Sequence, residues 1–162
     1  MLQKKAKPSS KNSRSSGKPR LITLPKLKKK CHETWSQIVR SRDKTCALCD
    51  ASEKLSAHHF VVNAARSLQL RFDPSNGIAL CYAHHIRVVH NEASFAITKK
   101  LVDIAIKRGN LTQAKLDSML ATVSDSSLVR RADLDSILAR LKDQLEHIRC
   151  AAVELDSAKS EV

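Results

Sequence analysis

What this 162-residue chain has little of narrows the field before any motif is read. It has three glycines, Gly17, Gly77 and Gly109. Neither a P-loop nor a dinucleotide fingerprint can be written with them, because both cradle phosphates on several closely spaced glycines. No G-x-S-x-G nucleophile elbow occurs either. The five aromatics, Trp35, Phe60, Phe72, Tyr82 and Phe95, all fall between positions 35 and 95. They are too few, and too committed to a core, to build a stacking platform for single-stranded nucleic acid. No apolar run approaches the ~18 residues a bilayer span needs, so no membrane partner is expected. The five cysteines are odd in number, two stand in a C-x2-C pair, and no secretory leader is evident. Reduced thiols and metal ligation are therefore expected in place of a disulfide framework, in a soluble, cytoplasmic protein.

Acid is missing from the first thirty residues, which hold eleven Lys and Arg, so most of the net charge of +13 sits there. The stretch "KKAKPSSKNSRSSGKPR" is polar, low in complexity and broken by Pro8, Gly17 and Pro19, which predicts disorder. "LITLPKLKKK", ending in Lys28, Lys29 and Lys30, predicts a basic hinge into the domain. Such a tail attracts polyanions, nucleic acid foremost, by releasing the counterions condensed on phosphates. A solubilising leader is the plainer reading, and composition leaves both open.

The expected organisation is a disordered basic tail over 1–30, a globular domain over 31–110 and a helical extension over 111–162. Trp35, Ile38 and Val39 give a short amphipathic helix from Cys31 to Arg42. Residues 44–81 lack a helical period, and their apolar stretches "HHFVV" and "GIALC" read as strands. A helix should start near Tyr82. Another, Ala93 to Lys107, stops before Gly109, and Thr112 caps a third. In the last helix, Leu128 to Leu155, Leu134, Leu141, Ile148 and Leu155 repeat every seven, with Leu138, Leu145 and Ala152 between. This heptad stripe serves either a homodimer through the C-terminal helix or packing inside the monomer.

A core of roughly 60–80 residues usually needs a staple. Cys46 and Cys49 form C-x2-C, and Cys81 and His84 form C-x2-H. The first pair belongs on a tight turn and the second on the first turn of a helix. Together they supply the four soft ligands of a tetrahedral structural Zn²⁺. The 31-residue gap suits a zinc-stapled, treble-clef-like α+β domain.

That leaves His58, His59 and His85, with Asn76 between them. The pieces "AHHF", "DPSNGIALC" and "CYAHH" resemble the HNH (His-Asn-His, ββα-metal) endonuclease superfamily. Within it, "AARSLQLRFDPSNGIALCYAHH" most resembles phage NinG-type recombination nucleases. The resemblance covers roughly residues 31–95. It implies a metal-dependent DNA endonuclease of phage-type recombination, acting on branched DNA alongside recombination proteins, in a bacterial or phage-infected cell. It implies His59 as general base, His58 and His85 as ligands of one catalytic Mg²⁺ or Mn²⁺, and Asn76 as the residue that ties the loop and holds His59 in its productive tautomer. A neutral imidazole suits a general base near pH 7, and a metal ion activates water and polarises the phosphate. Two departures stand out. His58 occupies a position where many members have Asp, which makes the site richer in imidazole. His90 lies five residues past His85 where relatives often have a histidine four along, so it is either a further ligand or a phosphate-contacting surface residue. Arg66 and Arg71 are candidates for clamping phosphates, or else ion pairs with Asp73 or Glu53. Adjacent strand residues point to opposite sides, so His58 and His59 can share one site only if the strand ends or bends there. If only the zinc site is real, the chain is a non-catalytic zinc-dependent DNA-binding or recombinase-adaptor protein.

Overall fold

The computed structural model describes residues 21–86, 95–122 and 131–160, with the side chains of the last helix to Glu154. Most of the basic tail, and the segment that carries His90, lie outside the described residues. The elements are α1 (Leu24–Asp43), β1 (Leu55–His59), α2 (Leu68–Arg71), a 3-10 turn (Pro74–Asn76), β2 (Gly77–Cys81), α3 (Phe95–Lys107), α4 (Gln113–Thr122) and α5 (Arg131–Ser160). Helical turns over residues 82–86 follow β2 directly. The fold is mixed but mostly helical, around one two-stranded sheet.

The first helix starts seven residues before its expected position, so the basic hinge is in large part helix. Pro25 sits in the first turn, where a missing N–H leaves no hydrogen bond unmade. Leu27, Cys31, Trp35 and Ile38 then recur every three or four residues, and all are buried. Lys44, left-handed at φ 59°, closes α1 by donating its N–H to the Arg40 carbonyl. Lys28, Lys29 and Lys30 remain exposed on the helix surface.

The strands pair antiparallel from Leu55 opposite Cys81 to His59 opposite Gly77. The first strand lies upstream of the expected "HHFVV" and ends at the second histidine. Beyond it the ladder is captured by one side chain. Asn76 Oδ1 accepts from the backbone N–H of Val61 (3.1 Å) and Val62 (2.9 Å). With those donors taken, the chain turns away from β2.

The sheet is covered on both faces. On one, Ala79 packs with Trp35, Val39 and Phe72 and with Leu134, Leu138, Leu141 and Leu145. On the other, Ile78 and Leu80 pack with Cys46, Leu101, Ala105 and Met119. The residues expected to form an extension thus complete both cores. The stripe of α5 from Leu134 to Leu145 packs against α1 inside the monomer. At Gly77 β2 passes close against α1: a Cβ there would lie 2.5 Å from Val39 Cγ2 and 2.8 Å from Trp35 Cζ2.

Asp43, its side chain fully buried, joins three layers. It accepts from Arg42 Nε (2.7 Å), the Ala79 backbone N–H (2.7 Å) and Asn110 Nδ2 (2.8 Å). Arg42 also donates to the carbonyls of Pro74 and Gly77, at 2.9 and 2.8 Å. Such complete satisfaction is what a buried charge requires. It makes Arg42 a structural residue.

Candidate functional site

Cys46 and Cys49 lie on a knuckle between α1 and β1, built by backbone bonds. The Cys46 N–H donates to the Ala51 carbonyl (2.8 Å) and the Asp50 N–H to the Cys46 carbonyl (3.1 Å). The Leu48 N–H points at Cys46 Sγ, 3.4 Å away. Cys81 ends β2 and His84 lies one turn later. The four ligand atoms all fall within 4.8 Å of one another. His84 Nδ1 is 3.5 Å from Cys46 Sγ and 3.2 Å from Cys81 Sγ, and the sulfurs of Cys49 and Cys81 are 3.7 Å apart. A tetrahedron with Zn–S bonds of ~2.3 Å has edges of about 3.8 Å, so the cluster fits a structural metal such as zinc.

The surroundings act on Cys81 and Cys49 in opposite directions. The backbone N–H of His84 holds the Cys81 thiol below its ordinary range. The Ala51 backbone lowers Cys49, but desolvation and crowding by Cys46 and Cys81 outweigh it, so this thiol is raised. A bound cation relieves that crowding by displacing the proton. Arg108, at the end of α3, buttresses the knuckle with bonds to the Thr45 carbonyl (3.4 Å), Thr45 Oγ1 (3.3 Å) and the Cys46 carbonyl (3.3 Å).

The other histidines separate according to the pleat. His58 meets His85 edge to face, with ring centroids 5.3 Å apart. His59, on the other side of the strand, stacks on Trp35 at 4.0 Å with the planes only 8° apart. Its Nε2 is 2.8 Å from the Arg71 carbonyl. That carbonyl can only accept, so Nε2 carries the proton and Nδ1 keeps its lone pair. Burial is the main cause of His59 lying below the ordinary imidazole value. The Arg71 backbone bond raises it, and the charges of His32 and Arg71 lower it further. Neutral imidazole is therefore its form at pH 7.

Asn76 is fully buried and uses its whole amide. Besides accepting from Val61 and Val62, its Nδ2 donates to the carbonyls of Val62 (2.8 Å) and Leu70 (3.0 Å). It ties the loop as expected of it. The atom that orients His59, however, is the Arg71 carbonyl, one residue beyond the Leu70 carbonyl that Asn76 holds. Arg66 is exposed and Arg71 half-buried. Neither takes the expected ion pair among the described residues: Asp73 pairs with Lys115 at 2.8 Å.

Three contributors escaped the sequence reading: Trp35, Gly77 and His32. The helical spacing marked Trp35 only as core. His32 belongs to no motif in the sequence, yet its ring lies 5.4 Å from Trp35 and 6.2 Å from His59. A pairing across 27 positions of sequence leaves no local pattern. A cleft of about 470 Å³ between α2, α4 and α5, lined by Leu68, Asp73, Lys115, Met119, Ile137 and Arg140, is bordered by none of these histidines. No family model matches the chain, and no curated protein or solved structure matches it either.

Proposed function

We propose that the protein is a metal-dependent DNA endonuclease of the HNH type, its ββα-metal unit stapled by zinc at Cys46, Cys49, Cys81 and His84. The observation that carries the reading is the state of His59. A half-buried imidazole, stacked on an indole and donating Nε2–H to a carbonyl, presents Nδ1 as a fixed acceptor. That is the arrangement a general base needs to take a proton from water at neutral pH. His58 and His85, ring against ring on the side of β1 away from His59, would hold one divalent ion, and both sides can serve one phosphate because β1 ends at His59. Two imidazoles leave most of the coordination shell to water and phosphate oxygens, and such an ion would polarise the scissile phosphate. The basic tail and the helix-borne Lys28, Lys29 and Lys30 support a polyanionic substrate. The resemblance to NinG-type recombination nucleases supports branched or recombination-intermediate DNA and a phage setting.

A second reading has one observation in its favour. Among the described residues, the cysteine cluster is the only group of three or more ligand side chains. This is the arrangement of a zinc-stapled DNA-binding or recombinase-adaptor protein without activity. The two are separated by incubating wild type and His59→Ala with supercoiled and branched DNA in Mg²⁺ or Mn²⁺. The nuclease reading expects nicking by wild type and a loss of two orders of magnitude or more in the variant, as for removal of a general base. No metal-dependent nicking by wild type sinks it. Equal nicking by both proteins assigns the activity to a contaminant.

A further inference from the structure

The motif accounts for His58, His59, Asn76 and His85 but leaves His32 and the Arg71 guanidinium, on the His59 side of β1, without a task. His32 projects from α1, exposed, beside the Trp35–His59 stack. Arg71 ends α2. Its carbonyl receives His59 Nε2–H, and its guanidinium carbon lies 5.7 Å from the centre of the Phe72 ring. Its Nε is buried without a hydrogen-bond partner. Partial burial of its ring holds His32 below the ordinary imidazole value, the nearby Arg71 charge lowers it further, and Glu33 opposes both.

The carboxylates nearby in sequence are committed elsewhere. Asp73 pairs with Lys115, and Glu33 lies 3.7 Å from Lys29. Among the described residues no acid neutralises Arg71. A guanidinium held by packing against Phe72, its terminal N–H groups without a carboxylate and an imidazole N–H donor nearby, matches an anion with two free oxygens. Lys28 lies four residues before His32, on the same face of α1, and extends the positive row toward the basic tail.

We infer that His32 and Arg71 form a phosphate seat beside His59, which takes a backbone phosphodiester of the bound DNA and sets its register against the base. This deepens the proposed function and rests on it for the identity of the strand. His32 works here as a neutral donor, since one imidazole N–H suffices for a phosphate oxygen. Arg71 contributes the charge. The two residues therefore have different signatures. Removing Arg71 takes away a counterion-releasing contact, whereas removing a neutral His32 weakens binding at every salt concentration.

The test uses the full chain loaded with zinc, and no added divalent ion so that nothing is cut. Binding of a short labelled duplex is measured against salt for wild type, His32→Ala, His32→Lys and Arg71→Gln, each first checked for zinc content and melting temperature. Arg71→Gln should flatten the slope of log K against log salt by about 0.9. His32→Ala should weaken binding roughly 3- to 10-fold with the slope unchanged, the size expected of one lost hydrogen bond. His32→Lys should restore affinity and steepen the slope by about 0.9. The His32 ring resonances should move on adding duplex. Movement with inorganic phosphate but not with duplex would make this a small-anion site and overturn the inference. So would wild-type affinity and slope in both His32→Ala and Arg71→Gln. If wild type cuts DNA, His59→Ala does not, and these variants bind normally, the nuclease reading stands and the seat falls. If nothing cuts DNA but the variants bind as forecast, the seat stands as the contact of a DNA-binding protein.

Discussion

Gly77→Ala adds one methyl group at the point where β2 crosses α1, and its consequences can be worked through. The new carbon would lie 2.5 Å from Val39 Cγ2, 2.8 Å from Trp35 Cζ2 and 3.2 Å from Trp35 Cε2. Carbon atoms rest about 3.5–4.0 Å apart, so roughly 1 Å of displacement is needed on two fronts. Val39 is β-branched and helical, hence confined to nearly one rotamer. Trp35 is anchored by its Nε1–H to the Asp73 carbonyl at 3.0 Å. Neither yields cheaply, and overpacking of this kind costs about 1–3 kcal/mol. For a chain of this size that corresponds to a fall in melting temperature of roughly 2–12 °C. Because the indole has to move, its stack with His59 is disturbed as well. Trp35 is the only tryptophan, so its emission reports the shift without a label. Calorimetry and fluorescence on the zinc-loaded protein, followed by nicking assays, complete the measurement. An unchanged melting temperature together with unchanged emission would refute the close approach and the role given to Gly77.

Cys46→Ser should drop bound zinc from about one per chain to near zero and remove cooperative melting, measured by metal analysis and circular dichroism. Arg108→Ala, which strips three hydrogen bonds from the knuckle, should leave the fold but speed zinc loss to a chromogenic chelator by about tenfold, the range of supporting contacts around a metal. His59 is lowered in the folded state, so its neutral form stabilises the fold above the unfolded value of ~6.5, and that contribution is lost as pH falls through the folded value. The difference in melting temperature between wild type and His59→Gln should therefore shift against wild type on going from pH 7.5 to 5.5; a pH-independent difference refutes the assignment. Asn76→Ala removes the partner of the Val61 and Val62 N–H groups and of the Val62 carbonyl and should cost several kcal/mol, read from urea unfolding.

The metal cluster was legible because its ligands come as two short-range pairs, C-x2-C and C-x2-H, whose spacing survives without knowledge of the fold. The strand Gly77–Cys81 was legible for a similar reason: five residues run from a turn to a ligand. The start of α1 was not, because a run of lysines looked like a hinge, and only Leu27 betrayed the buried stripe. The end of β1 was hidden as well, since it is set by an Asn76 amide fourteen to fifteen positions away rather than by local propensity. The heptads of α5 were visible as a pattern, yet the pattern does not say which helix fills the seam. Pairings such as His59 with Trp35 depend on how α1 crosses the sheet and leave no trace in either local sequence.

The packing of α5 along α1 also bears on how the molecule is made. The Cys31 thiol lies 3.5 Å from the Leu134 carbonyl, 103 positions later in the chain. On the ribosome, the helix that carries His32 and Trp35 thus emerges long before the helix that shields its inner face. Until then Leu27, Cys31 and Ile38 have no cover from Leu134, Leu138 and Leu141, and a nascent chain with exposed apolar surface is open to aggregation. The knuckle, β2 and its helical turn are all translated by residue 86, so metal capture can precede the closing of the core by α5. A shortened chain ending after α4 would keep every zinc ligand and still lose the floor beneath Trp35, and with it the platform on which His59 rests.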